Sequence, residues 1–395
     1  MVTVNQMRRS LEEVRRETPG VESVVHFNNA GSALPPQVVV DTVIDHLRRE
    51  AMIGGYEAAA EAADREEAVY TSIARLIGAE ARQIATVENA TRAWDMAVYG
   101  YPFQPGDRVL TGRAEYASNV IALLQLCERF AIQIVLIEDD EHGQISLDHL
   151  EAELEAGAAM VALTHVPTNG GLVNPAAAVG ALCAAHDVFF VLDGCQSTGQ
   201  LPIDVGAIGC DVLSATGRKY LRAPRGTGFL YVSDRALDRL VPPFLDLHAA
   251  TWTGVDTYAV RDDARRFENW ETNHAGKLGL GVAVDYALAL DVDGTWDRIQ
   301  ALGATLRTRL GEREGVRLHD KGERKGGIVT FTVDGREPDE VQAGLRDAGI
   351  NTSVSPASWA HYDLPPRGLS AIVRASVHYY NSDDEIDALI DALPA

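Results

Sequence analysis

Between residues 84 and 232, short apolar runs recur, separated by stretches in which apolar positions return every three or four residues. The runs at 84–87, 108–111, 132–137, 160–164, 188–192, 212–215 and 228–232 are nearly continuous rather than alternating, as in strands buried on both faces. Helical patterns lie between them at 120–130, 147–154 and the Ala-rich 175–186. Strands alternating with helices predict a mainly parallel seven-stranded sheet of the α/β class. The pattern then changes: helices at 277–290 and 296–312, a strand at 327–333, a helix at 338–348, a strand near 373–376 and a last helix at 383–393. The expected organisation is a large α/β domain over 20–272 and a smaller α+β domain over 273–395, with residues 1–19 a helical segment packing on the small domain.

Polar residues punctuate the ends of the apolar runs, where a doubly wound sheet binds its ligands. Phe189-Phe190-Val191-Leu192 runs into Asp193-Gly-Cys-Gln196, and Val212-Leu213-Ser214-Ala215 into Thr216-Gly-Arg-Lys219. A carboxylate ending one parallel strand and a lysine just past the next suit pyridoxal phosphate. Asp193 would keep the pyridine nitrogen protonated, and Lys219 would carry the aldehyde. The segment Glu88-Asn89-Ala90-Thr91-Arg92 ends a strand and opens a helix, so its backbone N–H groups and hydroxyl form an anion site for the phosphate, or else a plain cap. Thr216 adds a hydroxyl and Arg218 a cation. Tyr116 follows the 108–111 strand and is either an aromatic ring stacked on the pyridine or a core tyrosine at a strand end. Asn169 or Gln196 supplies an amide for the ring's phenolic oxygen, unless each is a turn residue. Arg374, inside a strand, wants a carboxylate: that of an amino-acid substrate, or an internal salt bridge.

Composition narrows the partners. Lys and Arg total 35 against 57 Asp and Glu, a formal charge of −22, which argues against nucleic acid and anionic membrane. No basic-then-apolar leader and no transmembrane-length run is present, and the four cysteines have no zinc spacing. A cytoplasmic protein with reduced cysteines and no metal site is expected.

Taken together, these motifs resemble the class V aminotransferase group of fold-type I pyridoxal phosphate enzymes, from Phe27-Asn28-Asn29-Ala30-Gly31 to Asn381. The likeness is to cysteine desulfurases, selenocysteine lyases, isopenicillin N epimerase-like proteins and hercynylcysteine sulfoxide lyases. It implies Lys219 as the cofactor lysine and Asp193 as the pyridinium partner, with Gln196 and Asn169 at the ring oxygen. It further implies Ala90, Thr91, Thr216 and Arg218 at the phosphate, and Arg374, Asn29 and Ala30 at the substrate. A homodimer is implied as well, Thr272 reaching the neighbouring subunit's phosphate. Three departures stand out. The 351–361 stretch, where desulfurases carry a sulfur-accepting cysteine, has none, and no cysteine follows Cys210. Tyr116 stands where they have a stacking histidine, and Arg218 where they have histidine at the phosphate. The expected activity is a C–S β-lyase on a cysteine conjugate or its sulfoxide, with an aminotransferase or epimerase of secondary metabolism as the alternative and a non-catalytic binding protein as a remote one.

Overall fold

The computed structural model describes residues 6–394. Seven strands, β1 (Ile84–Val87), β2 (Arg108–Thr111), β3 (Gln133–Leu136), β4 (Met160–Thr164), β5 (Phe189–Asp193), β6 (Val212–Thr216) and β7 (Gly228–Val232), form one sheet. Their order is β1-β7-β6-β5-β4-β2-β3. Every pairing is parallel except those of β7, which runs antiparallel to both β1 and β6. Alternate residues of the central strands enter two separate cores. Val161, Leu163, Phe190, Leu192, Leu213 and Phe229 face one, while Met160, Ala162, Phe189, Val191, Val212 and Leu230 face the other. Burial on both sides is why these strands are apolar at consecutive positions.

A second sheet is antiparallel, with β8 (Val316–Leu318), β9 (Ile328–Val333), β10 (Ser353–Pro356) and β11 (Ala371–Ser376) in the order β8-β9-β11-β10. Arg374 sits on β11, opposite Thr330 of β9 on one side and Ser353 of β10 on the other. The pair Val25–His26 runs parallel to Ile350–Asn351, and Asn28 bridges to Ser376. The amino-terminal chain thereby reaches the carboxyl end of β11.

The helix His274–Leu290 is capped by Asn273, whose side chain accepts from the Gly276 amide. It packs against the helices Gln37–Ile53 and Gly55–Ile77, which flank the large sheet. Neither of those two helices is among the elements expected from the sequence, although both are amphipathic. Gly55–Ile77 is mostly Ala and Glu in its first half, with large apolar residues gathered near its end at Val69, Tyr70, Ile73 and Ile77.

Arg222 ties three parts of the chain together. It is fully buried at φ 59°, three residues past Lys219. Its guanidinium donates to the Leu34 carbonyl, to Thr18 Oγ1 and to the Tyr379 hydroxyl, and it lies against the rings of Tyr379 and Tyr380. A little further out, Arg15 donates to the Tyr380 carbonyl and pairs with Glu385 at 2.8 Å.

Candidate active site

Strand ends and the loops after them enclose a cavity of about 500 Å³ lined by Ala90, Thr91, Tyr116, Asn119, Asp193, Cys195, Thr216, Arg218 and Lys219 among others. Seven of the residues singled out in the sequence therefore meet in one space: Ala90, Thr91, Tyr116, Asp193, Thr216, Arg218 and Lys219.

Asp193 ends β5, and both of its oxygens are occupied. Oδ1 accepts from the Cys195 amide at 2.8 Å and Oδ2 from Nδ2 of Asn119 at 2.9 Å. Two donors fix the plane of the carboxylate. Asn119 lies buried in the first turn of the helix Ala117–Phe130. It belongs to the site although residue type and spacing gave it no role. An asparagine in the first turn after a strand was the available signal.

Lys219 makes no hydrogen bond or ion pair among the described residues, and its Nζ lies 5.8 Å from the centre of the Tyr116 ring. Burial lowers its pKa below the ordinary lysine value, and Arg218 and Arg374 add repulsion while Asp193 acts in the opposite sense. A buried amine with no partner and a weakened hold on its proton is suited to attack a carbonyl carbon.

At the other end of the cavity the helix Ala90–Val98 begins. Its N-cap Asn89 accepts from the Arg92 amide, which leaves the Ala90 and Thr91 amides facing outward at the positive end of the helix. Thr216 Oγ1 lies opposite and accepts from Arg218 Nη1 at 3.1 Å. Gly228 makes this approach possible: a Cβ there would sit 3.2 Å from Asn89 Cα and 2.5 Å from the Ala215 carbonyl oxygen. Free amides, hydroxyls and one guanidinium form a cradle for a phosphate.

Arg374 is fully enclosed beyond this cavity. Nη1 donates to Thr168 Oγ1 at 2.6 Å and to the Thr168 carbonyl, and Nη2 to Asn28 Oδ1 at 3.3 Å, while Nε is buried without a partner. No carboxylate among the described residues pairs with it, so the internal salt bridge does not form. Burial pushes its pKa down to about 10, which still leaves it charged at neutral pH. A buried, unneutralised guanidinium is suited to receive an incoming carboxylate.

The remaining expected residues are placed differently. Gln196 Nε2 is held by the Ala30 carbonyl and Thr168 Oγ1, and its Oε1 is buried without a partner. Asn169 is buried in the turn after β4 and forms no hydrogen bond among the described residues. Asn29 and Ala30, expected at the substrate, have their polar groups taken up by the protein: Asn29 ties His26, Ser376, Tyr380 and Asn381 together, and the Ala30 amide donates to Ser376 Oγ. Asn28 is the member of that segment that reaches Arg374. Thr272 lines a neighbouring cavity of about 270 Å³, which shares Glu88 and Gly226 with the first.

Residues 25–389 match the family described as Aminotransferase class-V. The chain belongs to that family. It is 27% identical to a probable cysteine desulfurase of Methanothermobacter thermautotrophicus over 97% of each chain. A probable cysteine desulfurase of Xylella fastidiosa is 29% identical, over 98% of this chain and 94% of that one. The apo structure of a cysteine desulfurase from Thermococcus onnurineus superposes with a TM-score of 0.91 at 25% identity, over 98% of both chains. Class V proteins are pyridoxal phosphate enzymes of fold type I, and the mainly parallel sheet with a second, smaller sheet is that architecture. The pocket fits the cofactor on its own terms: an unpartnered buried lysine, an oriented carboxylate, an aromatic ring near the lysine and a helix start suited to an anion, all lining one cavity. Among the described residues no helix is long and apolar enough to cross a membrane.

Proposed function

We propose that this class V protein cleaves the C–S bond of a cysteine-derived amino acid by β-elimination, the sulfur leaving on its own substituent rather than on the enzyme. Lys219, Asp193, Tyr116 and the Ala90–Thr91–Thr216 cradle would hold pyridoxal phosphate, which would supply an electron sink for charge developing at Cα. Arg374 takes the substrate carboxylate in a two-point grip and so fixes which Cα bond faces the ring. The Lys219 amine, its pKa lowered by burial, accepts the Cα proton at Nζ. The enclosed walls limit water around that amine.

One observation carries the choice of reaction. The segment between β10 and β11 runs Ala357-Ser358-Trp359-Ala360-His361 and contains no cysteine, in the stretch where the resemblance to desulfurases would put a sulfur acceptor. Cys195 does line the cavity, but burial and the adjacent Asp193 push its thiol up to about 12. At neutral pH it is not the thiolate that attack on sulfur requires. Pyruvate and ammonia released from cysteine conjugates or their sulfoxides support this reading. Conversion of the loaded protein to the pyridoxamine form by amino donors, with no pyruvate, overturns it in favour of transamination.

The reading extends to a pair of identical chains. Val38, Leu47, Met52, Tyr56, Trp252, Tyr258 and Trp270 are exposed on the helices Gln37–Ile53 and Gly55–Ile77, on the hairpin Ala250–Val260 and before Thr272. So much uncovered apolar and aromatic surface suits a homodimer interface. Thr272 lies beside Trp270 and outside its own chain's Lys219 cavity, so it serves the partner's phosphate. Sedimentation of the purified protein tests this: a monomer at micromolar concentration removes the assignment.

A further inference from the structure

The mechanism leaves one buried acid unused. Glu115, immediately before Tyr116, is enclosed, and its two oxygens clasp a single residue: Oε1 accepts from the Thr164 amide at 2.7 Å and Oε2 from the Thr164 hydroxyl at 2.6 Å. Thr164 ends β4, in direct register with Asp193 at the end of β5, and the two strands are continued by a hydrogen bond from the His165 amide to the Asp193 carbonyl. Glu115 thus grips the strand end beside the one that carries the pyridinium partner. Its other side forms part of the wall of a separate cavity of about 250 Å³, opening between the helix Ala117–Phe130 and residues 358–362.

We infer that Glu115 is a positioning residue that senses pH: gaining or losing its proton at the Thr164 clasp changes the charge on the strand end beside Asp193, and with it the hold of Asp193 on the cofactor's ring nitrogen. This rests on the pyridoxal phosphate reading above. Two states are available without moving the backbone. In the ionised state the carboxylate accepts from both Thr164 donors. In the neutral state the new O–H donates to Thr164 Oγ1, whose own proton rotates away, while the amide keeps its bond to the other oxygen. Burial raises the Glu115 pKa to about 7 and the charge of Asp193 adds to this, while the Thr164 and Tyr116 donors pull it back. Around it stand Asp193 on β5, Tyr116 on its own segment, and Arg113, His361 and Tyr362 in the outer cavity. Arg113 is engaged with Glu138 at 2.6 Å, so its charge is largely matched elsewhere. Asp193 is therefore the nearest group to respond to a change at Glu115.

The test begins on the cofactor-free protein, with aspartate carboxyls labelled by ¹³C and the Asp193 resonance assigned by its loss in Asp193→Asn. The expected result is an Asp193 shift that moves with pH through a step near 7, and loses that step in Glu115→Gln. Thr164→Val removes one donor to the ionised carboxylate and is expected to move the step to higher pH. An Asp193 signal that titrates identically in all three proteins overturns the inference, and so does an unmoved step in Thr164→Val should the glutamine variant not fold. Because this readout needs no cofactor, it stands apart from the parent reading, which fails if added pyridoxal phosphate gives no visible band. In the loaded enzyme the same step is expected in the visible spectrum of wild type and is absent in Glu115→Gln.

Discussion

Thr168 Oγ1 lies 2.6 Å from Arg374 Nη1, and the same oxygen accepts from Gln196 Nε2 at 3.1 Å. One hydroxyl thus joins Arg374, the proposed receptor for the substrate carboxylate, to the residue three positions past Asp193. The contact spans the large and small sheets, so the two halves of the site are aligned by a side chain rather than by backbone pairing.

Thr168→Val is expected to weaken substrate binding, because Arg374 loses its shortest bond and turns more freely. A hydrogen bond to a charged group contributes about 1.5–3 kcal/mol, so kcat/KM should fall roughly tenfold or more, chiefly through KM. Steady-state kinetics on a cysteine conjugate decide it; an unchanged KM refutes the role.

Asn119→Ala should release one oxygen of Asp193 and loosen the cofactor while leaving the fold intact. By the same scale, the pyridoxal phosphate dissociation constant rises on the order of tenfold. Equilibrium dialysis of the variant against wild type measures it, and equal affinities would show that the Cys195 amide alone orients the carboxylate.

Lys219→Ala should abolish the visible band of a covalently held cofactor. Turnover should fall on the order of 10²–10⁴-fold from the lost proton transfer alone. Retention of both band and turnover would transfer the role to another amine.

Protein recovered after turnover of cysteine should carry no added sulfur by intact mass spectrometry. Neither the segment 357–361 nor the buried thiols offers a thiolate at neutral pH. A stable adduct one sulfur heavier would reinstate persulfide transfer.

Stability should also register Glu115. Its folded pKa lies near 7, above the ordinary value of 4.5, so its favourable contribution is complete below about 4.5 and is lost as pH rises through 7. His165, pushed down to about 4 by burial, acts in the opposite direction over part of that window. The difference in melting temperature between wild type and Glu115→Gln isolates the first effect and should change steadily between pH 4.5 and 7. A flat difference would place Glu115 among ordinary carboxylates.

How much of this could be read in advance depended on sequence distance. The central strands were legible because burial on both faces writes itself as consecutive apolar residues, and Asp193 and Lys219 were legible because they follow such runs at once. Asn119 was not, since its partner is 74 residues away and only the order β5-β4-β2 brings its helix alongside. Thr168, Asn28 and Glu115 share that difficulty: each is an ordinary turn or helix-end residue until the second sheet or a neighbouring strand closes on it. β10 was hidden for a different reason. Ser353-Val354-Ser355-Pro356 is polar and ends in proline, and it is a strand only because it pairs at the edge of β11.

The cage around Arg222 bears on the order in which a ribosome delivers this chain. Lys219 and Asp193 emerge when barely more than half of the polypeptide exists, while Tyr379 and Tyr380, which enclose Arg222, and Arg374 arrive almost last. Until the carboxyl-terminal strand docks, Arg222 has its bonds to Thr18 and the Leu34 carbonyl but neither Tyr379 nor Tyr380. A chain that stops short of that strand carries the residues of the Lys219 pocket without Arg374, so a truncated product would lack the proposed carboxylate receptor.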